Sequence, residues 1–305
     1  MTEALFLEAA EYEGQLQEQG ERRLNVSGVL RILGVSRSGY LSFRKRLPSN
    51  REKRKATLKE RILDIYNESH QNYGAPKITE CLMKEGEKVS EKTVGNYMRE
   101  LGIKAQYIKP YTVTTIDSDF SSKLKNILDE QFNPEMPDAV WCSDITYIWT
   151  FEGFVYLTSI MDLFSRKIIA WVLSDTLEAR WVIEAVNKAK AARNVDSPQI
   201  MHSDRGIQYV CHEYLQATEG MRRSYSKKAY PWDNACIESF HALIKREWLN
   251  RFKIFNYSHA YRLVFQYIET FYNTVRIHSH CGYLSPNAYE KQYNKELEKW
   301  EREAV

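Results

Sequence analysis

The chain of 305 residues is poor in cysteine: it has five, at scattered positions, and none of them forms a CxxC pair. An odd number without pairing argues against the disulfide framework of a small secreted domain and against a zinc ribbon. We therefore expect reduced thiols, as in a cytosolic protein.

Long apolar runs are also missing. No stretch approaches the roughly 18 apolar residues that would span a membrane. The first 21 residues hold six Glu and neither Lys nor Arg, which argues against a signal peptide. Internal repeats and low-complexity segments are absent from the sequence as well, so we expect an ordinary globular chain of two or three domains.

The net charge is small, only +3, but it is unevenly distributed. Residues 22–55 carry eleven Lys or Arg against one Glu, and a second basic cluster contains Arg222, Arg223, Lys227 and Lys228. Such segments often meet phosphate backbones, although many are only solvated surface. Charge therefore favours a nucleic-acid partner without deciding the question.

Residues 24–47 have the spacing of two short helices. Gly34 ends the first helix, and Pro48 follows the second, whose last turns carry the basic side chains Arg44 and Arg46. This spacing is typical of a helix-turn-helix, with Arg44 and Arg46 as candidate DNA contacts. A plain helical hairpin has equal weight.

A second helix pair is predicted in "YGAPKITECLMKEGEKVSEKTVGNYMRELGI". Ser90 can cap its second helix, whose apolar stripe leaves an outward face. Three side chains on this face, Lys92, Asn96 and Arg99, suit phosphates and base edges. DNA binding by this helix is favoured because it follows a strongly basic segment.

The composition changes after "NPEMPD". Three segments rich in β-branched and aromatic residues, 139–150, 153–164 and 166–174, predict a meander of three strands. A helix follows, then a fourth strand, "QIMHS", another helix, a fifth strand, "RRSYS", and a long helix that Asp233 can cap. We therefore predict an α/β fold with a mixed five-stranded sheet flanked by helices, preceded by all-α helix-turn-helix-like regions.

Three carboxylates occupy notable positions in this plan. Asp144 lies within the first strand, Asp204 ends the fourth, and Glu238 falls in the first turns of the long helix. If the first and fourth strands are neighbours, both aspartates emerge side by side. A buried carboxylate is costly unless a cation neutralises it, and carboxylate oxygens suit Mg²⁺ and Mn²⁺. From spacing alone, a metal site and scattered structural acids are about equally supported.

The segments "WCSDITYI", "HSDRGIQY" and "DNACIESFHALIKRE" together resemble the DDE transposases of bacterial insertion sequences, relatives of retroviral integrases. The resemblance is closest to the second-reading-frame protein (OrfB) of the IS-three family. "RILGVSRSGY", "YGAPKIT" and "YNTVRIHSHCGYLSPNAY" resemble the same family, so the likeness extends over residues 24–292.

This resemblance implies an RNase H-like core in which Asp144, Asp204 and Glu238 are catalytic and bind Mg²⁺, with two ions as the expected number and Mn²⁺ as a substitute. Such proteins use water to cut the ends of the element, and the freed 3′-hydroxyl then attacks target DNA. The resemblance also implies that Lys245 contacts DNA and that Arg205 shapes the loop beside the metals and lies close to DNA.

The resemblance further implies a homo-multimer on paired double-stranded DNA ends in the bacterial cytoplasm, associated with the nucleoid. An upstream-frame (OrfA) protein or fusion is an expected partner, since no zipper heptads are visible here. Only 33 residues separate Asp204 from Glu238, two fewer than is usual in the family. Shortening between "HEYLQA" and "RRSYS" accounts for the difference.

The expected domains follow from these assignments. They are an acidic tail with a basic helix-turn-helix-like segment (1–50), a helix-turn-helix-like DNA-binding domain (51–112), a linker (113–135), the integrase-like catalytic core (136–250) and a C-terminal helical region (251–305).

Several other residues invite a functional reading. His202 can be a metal ligand, but a partner that orients Asp204 is the favoured interpretation. "HSHC" (278–281) has metal-binding residue types without a second pair, so we interpret it as a structural turn. Trp141 and Trp149 are expected in the core.

Two rival functions remain open on the sequence alone. One is a DNA-binding regulator with an inert former active site. The other is an RNase H-like nuclease that hydrolyses DNA without strand transfer.

Overall fold

The computed structural model describes residues 5–7, 10–11, 26–45, 47–105, 124–194, 199–227 and 231–303. The chain divides into two compact units, Met1–Arg61 and Ile62–Val305. The five predicted domains are finer than this division and stay a prediction. Within the described residues, no helix is both long and apolar enough to cross a membrane.

The first unit is helical. Helices α1 (Val26–Ile32) and α2 (Arg37–Lys45) are separated by Gly34, whose positive φ of 65° is a conformation that glycine adopts without strain. Leu30 and Tyr40 are buried together with Phe6 in a small apolar cluster. Helix α3 (Asn50–Glu68) begins in this unit.

The second unit begins within α3 and contains the predicted second helix pair, α4 (Ala75–Lys84) and α5 (Glu91–Glu100). The predicted cap is confirmed, because the Ser90 side chain accepts a hydrogen bond from the backbone N–H of Thr93. Ile78, Leu82, Val94 and Met98 bury the facing sides of the pair.

The sheet of the second unit has five strands in the order β3-β2-β1-β4-β5. Their bounds are Val140–Thr150, Gly153–Asp162, Ile168–Ser174, Ile200–Ser203 and Arg222–Tyr225, for β1 to β5 respectively. β1, β2 and β3 form an antiparallel meander, whereas β4 lies parallel to both β1 and β5. The predicted RNase H-like mixed sheet is thus confirmed.

Helices cover both faces of the sheet. On one side lie α6 (Ala179–Arg193), α7 (Ile207–Val210) and α8 (His212–Ala217). On the other lie α9 (Ala235–Glu247), α10 (Tyr257–Phe265) and a π-helical continuation, Gln266–Tyr272. The last helix, α11 (Pro286–Glu303), follows a 3₁₀ turn at Ser279–Cys281. Strand residues alternate between the two apolar cores, which explains the period-two pattern of the sequence.

Some expectations about side chains were wrong. Trp141 is fully buried, but Trp149 is 61% exposed, and its ring packs edge-on against Phe154 of β2. Asp233 does not cap α9: it lies in a 3₁₀ turn, Pro231–Asn234, where its Oδ2 accepts a hydrogen bond from the backbone N–H of Lys227 at 2.6 Å.

Candidate metal centre

The parallel pairing of β1 with β4 brings two aspartates to one edge of the sheet. The ladder between the two strands ends with Ser143 opposite Ser203. Asp144 is the next residue of β1, and Asp204 is the first residue after β4. Because parallel strands run in the same direction, both carboxylates emerge at the same end. The predicted adjacency follows directly from this register.

Asp204 lies in a tight turn that leaves its carboxylate facing inward. The backbone N–H of Gly206 donates to Oδ1 of Asp204 at 2.9 Å. A Cβ atom at position 206 would come within 3.0 Å of the same oxygen, so glycine permits this close approach. The pKa of Asp204 is raised to about 6. Burial is the main cause, the charge of Asp144 adds to it, and the Gly206 hydrogen bond opposes both with a smaller effect.

Glu238 reaches the same edge from the first turn of α9. Burial, followed by the charges of Asp144 and Asp204, raises the pKa of Glu238 to about 7. The three acids therefore interact electrostatically although they come from three separate elements. The shortened interval between Asp204 and Glu238 does not carry Glu238 out of reach of the two aspartates.

His241 is a neighbour of this group that the sequence reasoning missed. Its Nδ1 lies 3.2 Å from Oδ2 of Asp144, and its Nε2 lies 3.3 Å from Oγ of Ser159. An ionised carboxylate only accepts, so a neutral ring donates from Nδ1 and accepts the Ser159 hydroxyl at Nε2. The available signal was its position: three residues after Glu238, it lies on the same face of α9.

The residues at this edge fit a hard divalent cation. The donor set consists of carboxylate oxygens. Asp144 raises the pKa values of Asp204 and Glu238, and Asp204 raises that of Glu238, a like-charge conflict that a cation would relieve. Within the described parts of the chain, no group of three or more His, Cys, Asp or Glu side chains is already placed at ligand distances. The acids are therefore near one another without forming a closed coordination site.

Lys245 lies two turns beyond Glu238 on α9. Its Nζ is 4.8 Å from the centre of the Tyr147 ring. Burial lowers the pKa of Lys245, and the charge of Asp144 opposes that effect. The ammonium group is thus within electrostatic reach of Asp144.

Two other predicted site residues are engaged differently than expected. The Nε of Arg205 donates to the carbonyl oxygen of Ser226 at 2.7 Å, so its guanidinium is held by the backbone. His202 is buried, with Nδ1 2.9 Å from Oγ of Ser224 and Nε2 3.3 Å from Oγ of Ser226. These hydrogen bonds tie β4 to β5 and differ from the predicted contact with Asp204.

The predicted DNA contacts of the helical regions are exposed where the structure describes them. Lys92, Asn96 and Arg99 share the outward face of α5, where Arg99 Nη2 donates to Oδ1 of Asn96 at 2.6 Å. Arg44 is exposed near the end of α2, whereas Arg46 falls outside the described residues.

Comparison with known families gives matches over most of the chain. The family described as "Integrase core domain" matches residues 134–231, and a second family with the same description matches residues 219–286. The family described as "HTH-like domain" matches residues 53–111. All three acids fall within the integrase-core matches.

Curated relatives extend the similarity to nearly full length. The transposase InsF of insertion sequence IS3A from Escherichia coli is 32% identical over 279 residues, covering 90% of this chain and 97% of the relative. The transposase of insertion sequence element IS904 from Lactococcus lactis is 34% identical over 251 residues, covering 82% of this chain and 99% of the relative.

Among solved structures, the catalytic core of HTLV-2 integrase in complex with magnesium aligns with a TM-score of 0.37 and 15% identity. That alignment covers 48% of this chain and 93% of the integrase core.

Proposed function

This chain belongs to the IS3 family of bacterial insertion-sequence transposases, and from that premise we propose that Asp144, Asp204 and Glu238 are its catalytic residues. Its function is DNA transposition, with an integrase-type core as the catalytic part. The proposal assigns this chemistry to the edge where β1, β4 and α9 meet.

The observation that carries the proposal is the electrostatic coupling of three acids from three elements. The pKa of Asp204 is raised by burial and then by Asp144, and the pKa of Glu238 is raised by burial and then by Asp144 and Asp204. A fold does not gather like charges at one place without cost, even where, as here, two of the carboxylates are half-buried and Glu238 is exposed. A bound metal ion would offset the repulsion between these carboxylates, whereas acids with only structural roles have no reason to converge.

When bound, Mg²⁺ would activate the attacking oxygen and stabilise the leaving oxygen of a phosphodiester, with Mn²⁺ as a substitute and two ions as the expected number. The three carboxylates hold this centre. His241 holds Asp144, since its ring bridges Asp144 and Ser159. Gly206 keeps the Asp204 carboxylate turned into the site.

The reaction has two stages in this proposal. Water first attacks the phosphodiester at an end of the element and releases a 3′-hydroxyl. That hydroxyl then attacks a phosphodiester of target DNA. The new ester bond joins the element to the target, and the bond to the target's own 3′-oxygen breaks, which leaves a 3′-hydroxyl on the target strand. Lys245 contacts the DNA strand beside the acids, because its ammonium group is within their electrostatic reach.

DNA outside the active site is bound by the helical regions. We assign the ends of the element to the exposed face of α5, through Lys92, Asn96 and Arg99, with Arg44 and Arg46 as further phosphate contacts. Arg205 acts through the loop that follows Asp204, because its guanidinium ties this loop to Ser226, the residue after β5. His202 acts in the same way, through Ser224 and Ser226.

The working assembly in this proposal is a homo-multimer on paired DNA ends in the bacterial cytoplasm, associated with the nucleoid. An OrfA-type upstream-frame protein, or a fusion to it, supplies further recognition of the ends.

A joining assay tests this function. Purified protein, the upstream-frame partner, labelled element-end DNA and a target plasmid are incubated with Mg²⁺ or Mn²⁺. We expect cleaved ends and joined products from the wild-type protein, and neither from Glu238→Gln. Cleavage without joining would indicate a nuclease. DNA binding with no metal-dependent product from the wild-type protein would indicate an inert regulator. Either of these two results would overturn the proposal.

A further inference from the structure

A second concave site lies on the side of α9 away from the three acids. It is a cavity of about 360 Å³ bordered by α4, the turn after β2, α9 and the segment 276–280. Helix α9 contributes Cys236, Ser239 and Leu243, whereas Glu238, His241 and Lys245 follow the opposite i, i+3, i+7 stripe. The cavity and the metal centre therefore share one helix but not one face.

The cavity is lined by positive charge. Lys77, Arg166 and Arg276 border it, and none of the described residues that line it is Asp or Glu. The charge of Arg276 is paired with that of Glu247, since its Nε and Nη2 donate to the two carboxylate oxygens of Glu247 at 2.7 and 2.6 Å. Lys77 and Arg166 form no ion pair with any residue that the structure describes.

Arg166 has an unused donor here. Its Nη2 donates to Oδ1 of Asn133 at 3.1 Å, but its Nη1 is buried and has no hydrogen-bond partner within the described part of the chain. A buried donor without an acceptor costs about 1–3 kcal/mol. The Nζ of Lys77 likewise finds no acceptor among the described residues and lies 4.9 Å from the centre of the Tyr73 ring.

The positive groups repel one another. Burial, and then the charge of Arg276, lowers the pKa of Lys77 to about 7, against the opposing charge of Glu247. Burial, followed by the charges of Arg276 and Lys77, lowers the pKa of His278 to about 2. This field disfavours a zinc ion at "HSHC" and favours an anion, which would reduce the repulsion between the positive groups.

We propose that this cavity is a phosphate-binding site, in which Lys77 and the guanidinium of Arg166 contact the phosphate oxygens and Arg276 supplies additional positive charge. Guanidinium and ammonium groups are the usual protein ligands of phosphate. The phosphate is either a phosphodiester of bound DNA or free inorganic phosphate. The site is separate from the metal centre and does not depend on the assignment of the three acids.

Titration of the full chain with inorganic phosphate, in phosphate-free buffer at low ionic strength, tests the proposal by calorimetry. The variants are Lys77→Gln and Arg166→Gln, singly and together. The matched control is Lys299→Gln, which removes one charge from an exposed position on α11. We expect saturable binding to the wild type and the control, and at least a tenfold loss of affinity in each cavity variant.

Folding is checked in the same samples by thermal unfolding without phosphate. Because Lys77 sits unpaired among other cations, Lys77→Gln should not lower the melting temperature, and phosphate should raise it only in proteins that keep the site. If Arg166→Gln fails to fold, Lys77→Gln carries the test alone. Glu238→Gln should bind phosphate normally, so failure of the catalytic assignment is distinguishable.

Duplex DNA separates the two sources of the phosphate. If the ligand is a phosphodiester, inorganic phosphate competes with DNA. The DNA affinity of the double variant then depends less steeply on salt, because its binding releases about two fewer counterions. If the ligand is free phosphate, DNA affinity is unchanged while phosphate binding is lost. The proposal is overturned if the wild type binds no phosphate saturably and the double variant binds DNA like the wild type. It is also overturned if Lys299→Gln weakens phosphate binding as much as Lys77→Gln does.

Discussion

Asp144 is held by hydrogen bonds that extend into the sheet. Asp144 and Ser159 are directly opposite each other on β1 and β2, so their side chains share one face, and His241 bridges the two. The His241 side chain is nearly buried, at 6% exposure, while that of Asp144 keeps 17%. This linkage fixes the Asp144 carboxylate to the helix that also carries Glu238.

Replacement of His241 should weaken metal binding without unfolding the protein. We expect His241→Ala to raise the Mg²⁺ concentration needed for half-maximal cleavage by about tenfold, the size typical for the loss of a residue that orients a metal ligand. Mn²⁺ affinity, measured by paramagnetic resonance of the free ion, should fall in parallel.

His241→Asn is the matched control for that change, because its amide nitrogen can still donate to Asp144. Recovery of most of the Mn²⁺ affinity in His241→Asn supports a positioning role. Equal loss in both variants, or wild-type metal dependence in His241→Ala, would contradict it.

The acids also predict how stability varies with pH. Folded-state pKa values of about 6 for Asp204 and about 7 for Glu238 lie above the ordinary values of 3.8 and 4.5. The folded state therefore binds more protons than the unfolded state in this range, and the stability that these groups contribute is lost as pH rises from about 4 to 7. Denaturant unfolding of metal-free protein should show this decline.

In Glu238→Gln the decline should be smaller, and Mg²⁺ should restore stability to the wild type at pH 7. An identical pH profile for wild type and Glu238→Gln would show that Glu238 does not titrate as described. Glu219→Gln, at an exposed position after α8, is the control carboxylate.

Residue identity was easier to predict than residue environment. The three acids stand out in the sequence because each interrupts an apolar or small-residue pattern at an element that the sheet brings to one edge. His241 was missed because a histidine on a helix has many roles and its partner, Ser159, is distant in sequence. Arg205 was assigned to the loop beside the metals and to DNA from the family resemblance, which could not indicate that its guanidinium hydrogen-bonds to the Ser226 backbone.

At the scale of elements, α9 is held at two points, by His241 near Glu238 and by Glu247 at its last residue. Glu247, its last residue, is buried and paired with Arg276, and it accepts a hydrogen bond from the Tyr267 hydroxyl at 2.7 Å. The paired guanidinium and the hydroxyl keep the pKa of Glu247 below its ordinary value despite burial. The helix that presents Glu238 is thereby joined to the segment that follows Tyr272.

Breaking this pair should destabilise the protein strongly. Arg276→Met leaves the Glu247 carboxylate buried and uncompensated, so we expect a loss of about 3–5 kcal/mol in the free energy of unfolding. Urea denaturation measures the change. Adding Glu247→Leu to Arg276→Met should recover much of the loss, since an apolar pair does not pay for the desolvation of a lone charge. No recovery in the double variant would contradict this account.

The outward face of α5 gives another prediction for an element. We expect Lys92→Ala and Arg99→Ala each to weaken binding to element-end DNA and to reduce the salt dependence of affinity by about one counterion. Asn96→Ala should change discrimination between DNA sequences more than salt dependence. Fluorescence anisotropy at several salt concentrations measures both, with Lys299→Ala as the control. Unchanged affinity in all three α5 variants would contradict the assignment.

The elements themselves were largely predictable. Period-two alternation and β-branched residues located all five strands, and the caps at Ser90 and Gly34 located helix ends. Tertiary context decided the rest. Trp149 was expected in the core and is 61% exposed, because strand periodicity alone does not say which neighbour covers a face.

At the scale of the whole molecule, the metal centre exists only when the second unit is folded. β1, β4 and α9 are far apart in sequence, and the acids meet because β1 pairs with β4 while α9 packs on the face of the sheet that also carries Asp144. Partial folding would leave three unrelated carboxylates. Catalytic competence and completion of the sheet are therefore linked, and the phosphate site on the other face of α9 shares that dependence.

The central claim is that Asp144, Asp204 and Glu238 form one divalent-metal centre, and Mn²⁺ titration followed by electron paramagnetic resonance tests it most directly. The full chain is titrated with and without element-end DNA, alongside Asp144→Asn, Asp204→Asn and Glu238→Gln. The exposed acids Asp175→Asn and Glu213→Gln are matched controls. We predict saturable Mn²⁺ binding in the wild type and both controls, and its loss in each of the three variants. Wild-type Mn²⁺ affinity in any one of those three would contradict the account.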